Sequence, residues 1–150
     1  MKIRISDDAE EIRGILTHPD IYAVISSDLA PPAQHYIVDM NEKVFLVGYV
    51  DEKPIGVMIF YPCGDVACWC HIQVLPEYRK EHAFAFGKMA VQWAWDSLAI
   101  AKLVAQIPAI YPNVIRFAEM HDFEIEGINK RSYLKDGQLI DQYYLGLARP

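Results

Sequence analysis

Residues 66–96 read VACWCHIQVLPEYRKEHAFAFGKMAVQWAWD, and this stretch decides the fold. Its first ten residues, Val66 to Leu75, are rich in β-forming side chains and predict a strand. Pro76 ends that strand. From about His82 to Asp96 the apolar residues recur at helical spacing and predict a helix with one buried face. That face carries Ala83, Phe86, Gly87, Ala90, Val91 and Ala94.

Two strands precede this stretch and join it in an antiparallel meander. Val44 to Val50 and Pro54 to Tyr61 are both rich in β-branched and aromatic residues. The turn Asp51-Glu52-Lys53 separates them, so they form a hairpin. A second turn begins at Pro62 and leads into the strand from Val66.

The first part of the chain predicts one short strand and two helices. Lys2 to Ile5 is the strand. Asp7 is placed to cap the first helix, and Glu10, three residues later, completes a capping box. Pro19 suits the first turn of a second short helix. The segment Ala30-Pro31-Pro32-Ala33 predicts a break after it.

The last part of the chain predicts a strand, a helix and a hairpin. Leu103 to Ile107 is short and apolar, so we expect it to be buried and parallel to its neighbour. Asn113 is expected to cap a helix. Phe123 to Leu134 and Leu139 to Leu147 flank the hairpin turn Lys135-Asp136-Gly137. The whole order is β-α-α-β-β-β-α-β-α-β-β, which predicts an α+β fold with a mixed, mostly antiparallel sheet flanked by helices.

Length and charge set limits on the function. A chain of 150 residues, about half of them apolar, fits one domain over residues 1–150. The net charge of −6 and the lack of a basic stripe argue against nucleic-acid binding. No run of 18 apolar residues is present, and the acidic start Ser6-Asp7-Asp8 does not resemble a signal peptide. We therefore expect a cytoplasmic protein without a membrane segment.

The three cysteines predict no metal site. Cys63, Cys68 and Cys70 form an odd count without a Cys-x-x-Cys pair, which suggests reduced thiols. Cys68 and Cys70 share one face of a strand, and a zinc site there lacks a second ligand pair. We expect both to be small buried hydrophobic residues.

Several motifs occur together with this element order. The strand exit Val74-Leu75-Pro76-Glu77-Tyr78-Arg79 matches the pattern V-x-P-x-x-R. Residues 113–127 read NVIRFAEMHDFEIEG, which is similar to N…I-R-F-Y-E-K-L-G-F-x-x-E-G. Residues 135–147 form a similar closing hairpin. In this order and spacing, from about Val44 to Ala148, the chain resembles the GNAT N-acyltransferases.

The resemblance implies acetyl-CoA as co-substrate and a primary amine as acceptor. It implies that the parallel strands Val66–Leu75 and Leu103–Ile107 splay apart at their ends, and it places the thioester and the pantetheine amides against the backbone of Ile72, Gln73 and Val74. The remaining cofactor-binding residues that it implies are Arg79, Lys80, His82 and Ala83, at the pyrophosphate loop and the start of the following helix, and Asn113, at the start of the later helix. The attack would be direct, with the strand backbone polarising the carbonyl.

His71 is the catalytic candidate, because the family often has a general base near this strand end. The ordinary pKa of histidine lies near neutrality, as deprotonation of an amine requires, so activity should rise with pH there. A partly buried strand histidine with a satisfied hydrogen bond is the alternative interpretation. Asp141 could orient an amine or simply belong to an exposed hairpin.

Two positions depart from the family pattern. The loop R/Q-x-x-G-x-G/A reads here RKEHAF, so His82 and Phe84 stand where small residues let backbone N–H groups approach the pyrophosphate. Ala118 stands where many members have a tyrosine that protonates the leaving thiolate. Tyr78 and Tyr111 lie nearby in the sequence, but neither aligns with the position of the family's tyrosine.

Three hypotheses follow. The first is an acetyl-CoA-dependent N-acetyltransferase of weak activity. The second is a catalytically inactive protein of the same fold, since the chain also resembles compact phage-encoded members. That resemblance implies a virion-assembly or host-interaction role with a viral or host protein as partner, in the host cytoplasm or the virion. The third is an acyl-CoA-binding regulator. Fold alone does not choose among them.

Overall fold

A seven-stranded sheet forms the middle layer of the protein, in a computed structural model that describes residues 1–150. Its order is β1-β2-β3-β4-β5-β7-β6, and every neighbouring pair is antiparallel except β4 and β5. The predicted mixed, mostly antiparallel sheet is thus confirmed. The strands are β1 (Lys2–Ile5), β2 (Val44–Val50), β3 (Lys53–Cys63), β4 (Ala67–Val74), β5 (Lys102–Pro108), β6 (Glu124–Lys135) and β7 (Gln138–Ala148).

Helices cover both faces of the sheet. They are α1 (Ala9–Leu16), α2 (Pro19–Ile25), α3 (Pro76–Ser97) and α4 (Pro112–Glu119), with one 3-10 turn at Ala33–His35. Helix α1 and the start of α2 pack on one face, and α3 with α4 packs on the other, so the predicted three-layer arrangement is confirmed. No helix combines the length and the apolar character that a membrane crossing requires.

The larger core lies between the sheet and α3. Phe60 and Phe86 are almost completely buried there, and both form the centre of a cluster that also reaches β5 and β7. Cys68 and Cys70 are buried in this cluster as small hydrophobic residues, as predicted. The buried face of α3 is the predicted one, except that Val91 is only half-buried.

Two helix caps differ from the prediction. Asp8, not Asp7, caps α1, because its Oδ1 accepts hydrogen bonds from the N–H groups of Glu10 and Glu11 at 3.0 and 3.1 Å. Helix α4 begins at Pro112 after Tyr111, so Asn113 lies inside its first turn and caps nothing. A proline is well suited to the first helical position, where its missing N–H is no loss.

Helix α3 begins six residues earlier than predicted, at Pro76 rather than His82. The N–H of Tyr78 already donates to the carbonyl of Leu75 at 3.0 Å, so the helical turn starts directly at the strand end. Pro76 has the backbone angle of a first helical residue, and the next ten residues contain no glycine. The segment Arg79 to Phe84 is therefore helix and not a loop.

Strands β4 and β5 pair only at their beginnings. Ala67, Cys68 and Trp69 stand opposite Lys102, Leu103 and Val104, and the ladder ends there. Beyond this point the two parallel strands diverge. The predicted splayed pair is confirmed, and the gap between the strands opens beside the start of α3.

The tip of the β6–β7 hairpin is bound to the end of α2. Asp136 and Gly137 adopt positive φ angles of 51° and 73°, as a tight hairpin turn requires. Their N–H groups donate to the carboxylate of Asp28 at 2.9 and 2.8 Å. Lys135 Nζ donates to the carbonyl of Ser26 at 2.8 Å. The long hairpin is thereby held against the helix layer.

Helices α3 and α4 are joined through His121, which is only 4% exposed. Its Nδ1 lies 2.8 Å from the carbonyl of Phe117, and its Nε2 lies 3.1 Å from the carbonyl of Phe84. Gly87 leaves the space for this ring, because a Cβ there would lie 2.3 Å from His121 Nε2. The absence of a side chain at Gly87 thus permits the close approach of the two helices.

Replacing Gly87 with alanine should therefore destabilise the protein by about 1–3 kcal/mol through overpacking against His121, in spite of the better helix propensity of alanine. Urea unfolding measures the effect. Gly14→Ala is the matched control, because nothing lies within 4 Å of its added Cβ on the exposed side of α1. That variant should be unchanged or more stable, and an equal loss in both would contradict the packing role of Gly87.

Candidate active site

A cavity of about 260 Å3 fills the gap between the diverging strands. It is bounded by the second half of β4 on one side and by Ala105 to Pro108 of β5 on the other. Helices α3 and α4 close one face of the sheet, and the end of α2 with β6 and β7 closes the opposite face. The cavity therefore reaches both layers through the sheet.

The backbone of β4 supplies polar groups to this gap. Leu75 donates its N–H to Ile55 of β3, so odd-numbered residues of the strand direct their N–H and C=O groups toward β3. Neighbouring residues alternate, and Ile72 and Val74 therefore direct theirs toward β5. Since β5 has diverged there, these groups have no strand partner. The carbonyl of Val74 instead accepts a hydrogen bond of 2.9 Å from Arg79 Nε.

The wall on the α3 side is mostly apolar. It is formed by Gly87 and Val91 of α3 together with Phe117 and Ala118 of α4. Ala118 thus faces the cavity, at the position where the resemblance implies a tyrosine. A methyl group there contributes no proton to any chemistry in the cleft.

His71 faces the cavity from the opposite side of the sheet, toward α2. Its Nε2 lies 2.8 Å from the hydroxyl of Tyr61, whose ring is nearly parallel to the imidazole. Nδ1 has no hydrogen-bonding partner in the protein. The alternative interpretation, a strand histidine with a satisfied hydrogen bond, therefore holds for Nε2 but not for Nδ1.

Burial lowers the pKa of His71 to about 4, and the positive charge of Lys43 acts in the same direction. The imidazole is therefore neutral at pH 7. The expectation that this group titrates near neutrality is wrong, because the sequence does not reveal how deeply the strand is buried. A neutral ring retains a lone pair for accepting a proton, but it is a weaker base than an exposed histidine.

The predicted site residues divide into two groups. His71, Ile72 and Gln73 line the cavity, whereas Val74 and Arg79, which share a hydrogen bond of 2.9 Å, do not. The remaining four do not line it either: Lys80, His82, Ala83 and Asn113.

These four residues have other positions. Lys80 and Asn113 are exposed, and Ala83 is buried in the core, with its N–H inside the helix. His82 packs near the ring of Tyr78 and lies 3.9 Å from a carboxylate oxygen of Glu81. The early start of α3 explains the positions of Lys80, His82 and Ala83, because it turns the expected loop into a helical surface, and Asn113 lies in the first turn of α4.

Five polar residues that line the cavity were missed in the sequence, and one of them, His121, follows α4. Gln106 and Gln142 come from β5 and β7, and Tyr111 and Tyr133 come from the start of α4 and from β6. Burial raises the pKa of Tyr133 to about 12, and it also raises the pKa of Tyr111, with a smaller contribution from Asp136. Gln106, a polar residue within the otherwise apolar β5, was the available signal.

Asp141 does not line the cavity. Its Oδ1 accepts a hydrogen bond of 2.8 Å from the N–H of Arg131 on the neighbouring strand. The exposed-hairpin interpretation is the one that the geometry supports. The carboxylate stabilises a position where Arg131 has a positive φ of 53°.

Solved structures share this architecture. The spermidine N-acetyltransferase from Vibrio cholerae in complex with CoA and spermine aligns with a TM-score of 0.80 and 14% identity, over 98% of this chain and 94% of its own. The acetyltransferase of the GNAT family from Streptococcus pneumoniae aligns with a TM-score of 0.77 and 18% identity, over 99% of both chains. The protein smu.2055 from Streptococcus mutans UA159 gives 0.77 and 17%, again over 99% of both chains.

No protein-family model and no curated protein sequence matches this chain. The likeness therefore lies in the three-dimensional arrangement, and at these identities it concerns the fold. The protein has the GNAT fold, with the splayed strand pair at its centre.

The lowered pKa of His71 predicts a loss of stability in mild acid. Between pH 6.5 and about 4 the unfolded chain binds the proton and the folded protein resists it. Folding stability therefore falls as the pH drops through this window, by up to about 3 kcal/mol from this residue. Urea unfolding at neutral pH and at about pH 4.5 measures the difference.

His71→Gln should show a smaller loss over the same range than the wild type. The exposed His35→Gln is the matched control and should keep the wild-type loss. Equal pH dependence in all three proteins would show that His71 is not buried in its neutral form.

Proposed function

We propose that this protein, which has the fold of the GNAT acyltransferases, binds an acyl-CoA in the β4–β5 cleft and transfers the acyl group to a primary amine. The observation that carries the proposal is the divergence of the two strands. It leaves the backbone groups of Ile72 and Val74 without strand partners and leaves a cavity beside them. Unpaired peptide groups along an apolar cleft suit the amides and the thioester of a pantetheine arm.

The acyl-CoA would lie on the α3 side of the sheet, and the amine would enter from the α2 side. Support comes from the two walls, since the α3 side is apolar and the α2 side carries His71 and the glutamines. The V. cholerae enzyme, whose fold is shared, was solved with CoA and spermine. Acetyl-CoA is the co-substrate that we propose for this chain.

The pyrophosphate would be held by side chains rather than by a glycine-rich loop. Arg79 uses Nε for the carbonyl of Val74, and its two terminal nitrogens have no protein partner. They lie near the first turn of α3, where the helix dipole favours an anion. Lys80, next in the helix, adds a second positive charge.

The transfer needs one proton acceptor and one proton donor. The amine nitrogen attacks the thioester carbonyl, and Nδ1 of His71 accepts the proton that the nitrogen loses. Collapse of the intermediate releases the thiolate, which must be protonated. We assign this role to Tyr111, because it lines the cavity with a hydroxyl that is protonated at pH 7 and because Ala118 cannot act.

A catalytically inactive protein of this fold is the second candidate. The observation that favours it is the start of α3 at Pro76, which replaces the expected pyrophosphate loop by a helix. Phe84, 46% exposed, and His121 also fill the space between α3 and α4. In this case acetyl-CoA would neither stabilise the protein nor release heat on mixing.

Calorimetry with acetyl-CoA tests the binding step. Changing both Arg79 and Lys80 to alanine should weaken the affinity by about 2–4 kcal/mol, since each charge-assisted contact contributes roughly 1.5–3 kcal/mol and the two overlap. Lys53→Ala with Lys130→Ala removes the same charge from exposed positions and should leave the affinity unchanged. An unaffected affinity in the first variant would place the phosphates elsewhere, and absence of heat with the wild type would refute the proposal.

Tyr111→Phe tests the proton donor. It keeps the ring in the cavity wall and removes the hydroxyl, so kcat for acetyl transfer should fall about 10- to 100-fold while KM for acetyl-CoA stays the same. Thiol release measures the rate. Tyr78→Phe is the control, because this ring does not line the cavity, and it should retain full activity. A Tyr111 variant as active as the wild type would leave protonation of the thiolate to water.

A further inference from the structure

The α2 side of the cavity has an uncharged polar lining. Gln73, Gln106 and Gln142 present side-chain amides from β4, β5 and β7. His71 is neutral because burial lowers its pKa to about 4, and the phenol of Tyr133 is neutral at pH 7 as any tyrosine is. Every polar side chain on this side therefore offers hydrogen bonds without a full charge at pH 7.

The charged groups around this lining favour no cation. Lys43 is the ionised side chain whose field reaches His71, and its Nζ lies 5.8 Å from the centre of the Tyr61 ring. Asp39 neutralises part of this charge at 2.6 Å, outside the cavity. The negative charge of Asp28 acts on Tyr133 from outside the cavity, so the acceptor side has one positive and one negative influence and no charged group in its own lining.

The nearby carboxylates are already used or lie outside. Asp28 accepts the two N–H groups of the hairpin tip, and Asp141 accepts the N–H of Arg131. Asp136 influences Tyr111 but is exposed at the tip itself. An ammonium group entering the cavity would lose its water and find no carboxylate in the lining, which is unfavourable.

The remaining surface of this side suits a flat apolar group. Val24 and Ile25 of α2 and the ring of Tyr133 lie around the amides. An aromatic ring can pack against these side chains, while its amino group donates hydrogen bonds to glutamine oxygens. A flexible polycation would gain little from the same contacts.

We propose that the acceptor is a primary amine that is uncharged at neutral pH, of the aromatic amine class. This inference rests on the acyl transfer proposed above and specifies its second substrate. Recognition comes from the neutral glutamine lining and the apolar surface around it. A polyamine is excluded as the preferred acceptor.

The chemistry of such an amine fits a weakly basic histidine. An aromatic amine enters with its lone pair free, so no proton has to be removed before the attack. The C–N bond forms, the nitrogen becomes cationic and acidic, and it loses one proton to His71 Nδ1. The C–S bond then breaks, and the thiolate takes a proton, so that amine and acyl-CoA give an N-aryl amide and CoA thiol.

Aniline and benzylamine provide a matched test, because they have similar size and differ in charge at pH 7. With acetyl-CoA and the full-length protein, aniline should be acetylated with a kcat/KM at least about tenfold higher than benzylamine or spermidine. The ratio of aniline to benzylamine should shrink as the pH is raised toward 9.5, where benzylamine loses its proton. A preference for benzylamine or spermidine at pH 7 would overturn the inference and leave the acyl transfer intact.

Introducing a carboxylate should reverse the preference. Gln106→Glu places a negative charge in the lining and should shift the ratio toward benzylamine by about tenfold or more at pH 7. Gln34→Glu adds the same charge at an exposed position and should change nothing. An equal response of both variants, or none, would show that Gln106 does not face the acceptor.

Binding without turnover separates this inference from the proposed function. Calorimetric titration of the wild-type protein with each amine alone should give a dissociation constant for aniline about tenfold lower than for benzylamine. If acetyl-CoA fails to bind while this difference holds, the transfer is wrong and the neutral site stands. If benzylamine binds as tightly as aniline, or neither binds, the neutral site is wrong.

Discussion

Three residue pairs hold β4 beside β5, and the arrangement of the helices and strands around them depends on the early end of this ladder. Complete pairing would satisfy the backbone of Ile72 and Val74 and would leave no space between the strands. Because the pairing stops, the N–H and C=O groups of these residues need other hydrogen-bonding partners. Arg79, in the first turn of α3, donates a hydrogen bond to the carbonyl of Val74, and the other groups face the cavity. The helices and the closing hairpin enclose this gap.

Much of the fold could be predicted from the sequence because its signals are local. The alternation in β2 to β4, the apolar face of α3 and the turn at Lys135 to Gly137 each depend on neighbouring residues. The splay of β4 from β5 followed from the resemblance. The start of α3 was misjudged for a physical reason, since Pro76 can either stop a strand or open a helix and here does both at one junction.

The site was less predictable, because its properties depend on residues distant in sequence. His71 could be found from its place near a strand end, but its lowered pKa depends on packing against β3 and on Lys43. Gln106, Gln142 and Tyr133 reach the cavity through the pairing of β5 with β7 and of β7 with β6. No local pattern links them. The position of Tyr111 follows from the cap of α4, which was itself assigned to the wrong residue.

The order of the strands has a consequence for biosynthesis. Strand β5 lies between β4 and β7, and the ribosome produces β7 after the other six strands of the sheet. A nascent chain that has reached β6 therefore has a β5 with one short partner and one open edge, and such edges recruit strands from other chains. Asp28 accepts its hydrogen bonds from Asp136 and Gly137, which follow it by 108 and 109 positions in the chain. These bonds too can form only after the hairpin tip has been synthesised. Pairing between segments so distant in sequence slows folding. The protein therefore depends on the pairing of β7 with β5 before the open edge of β5 meets another chain.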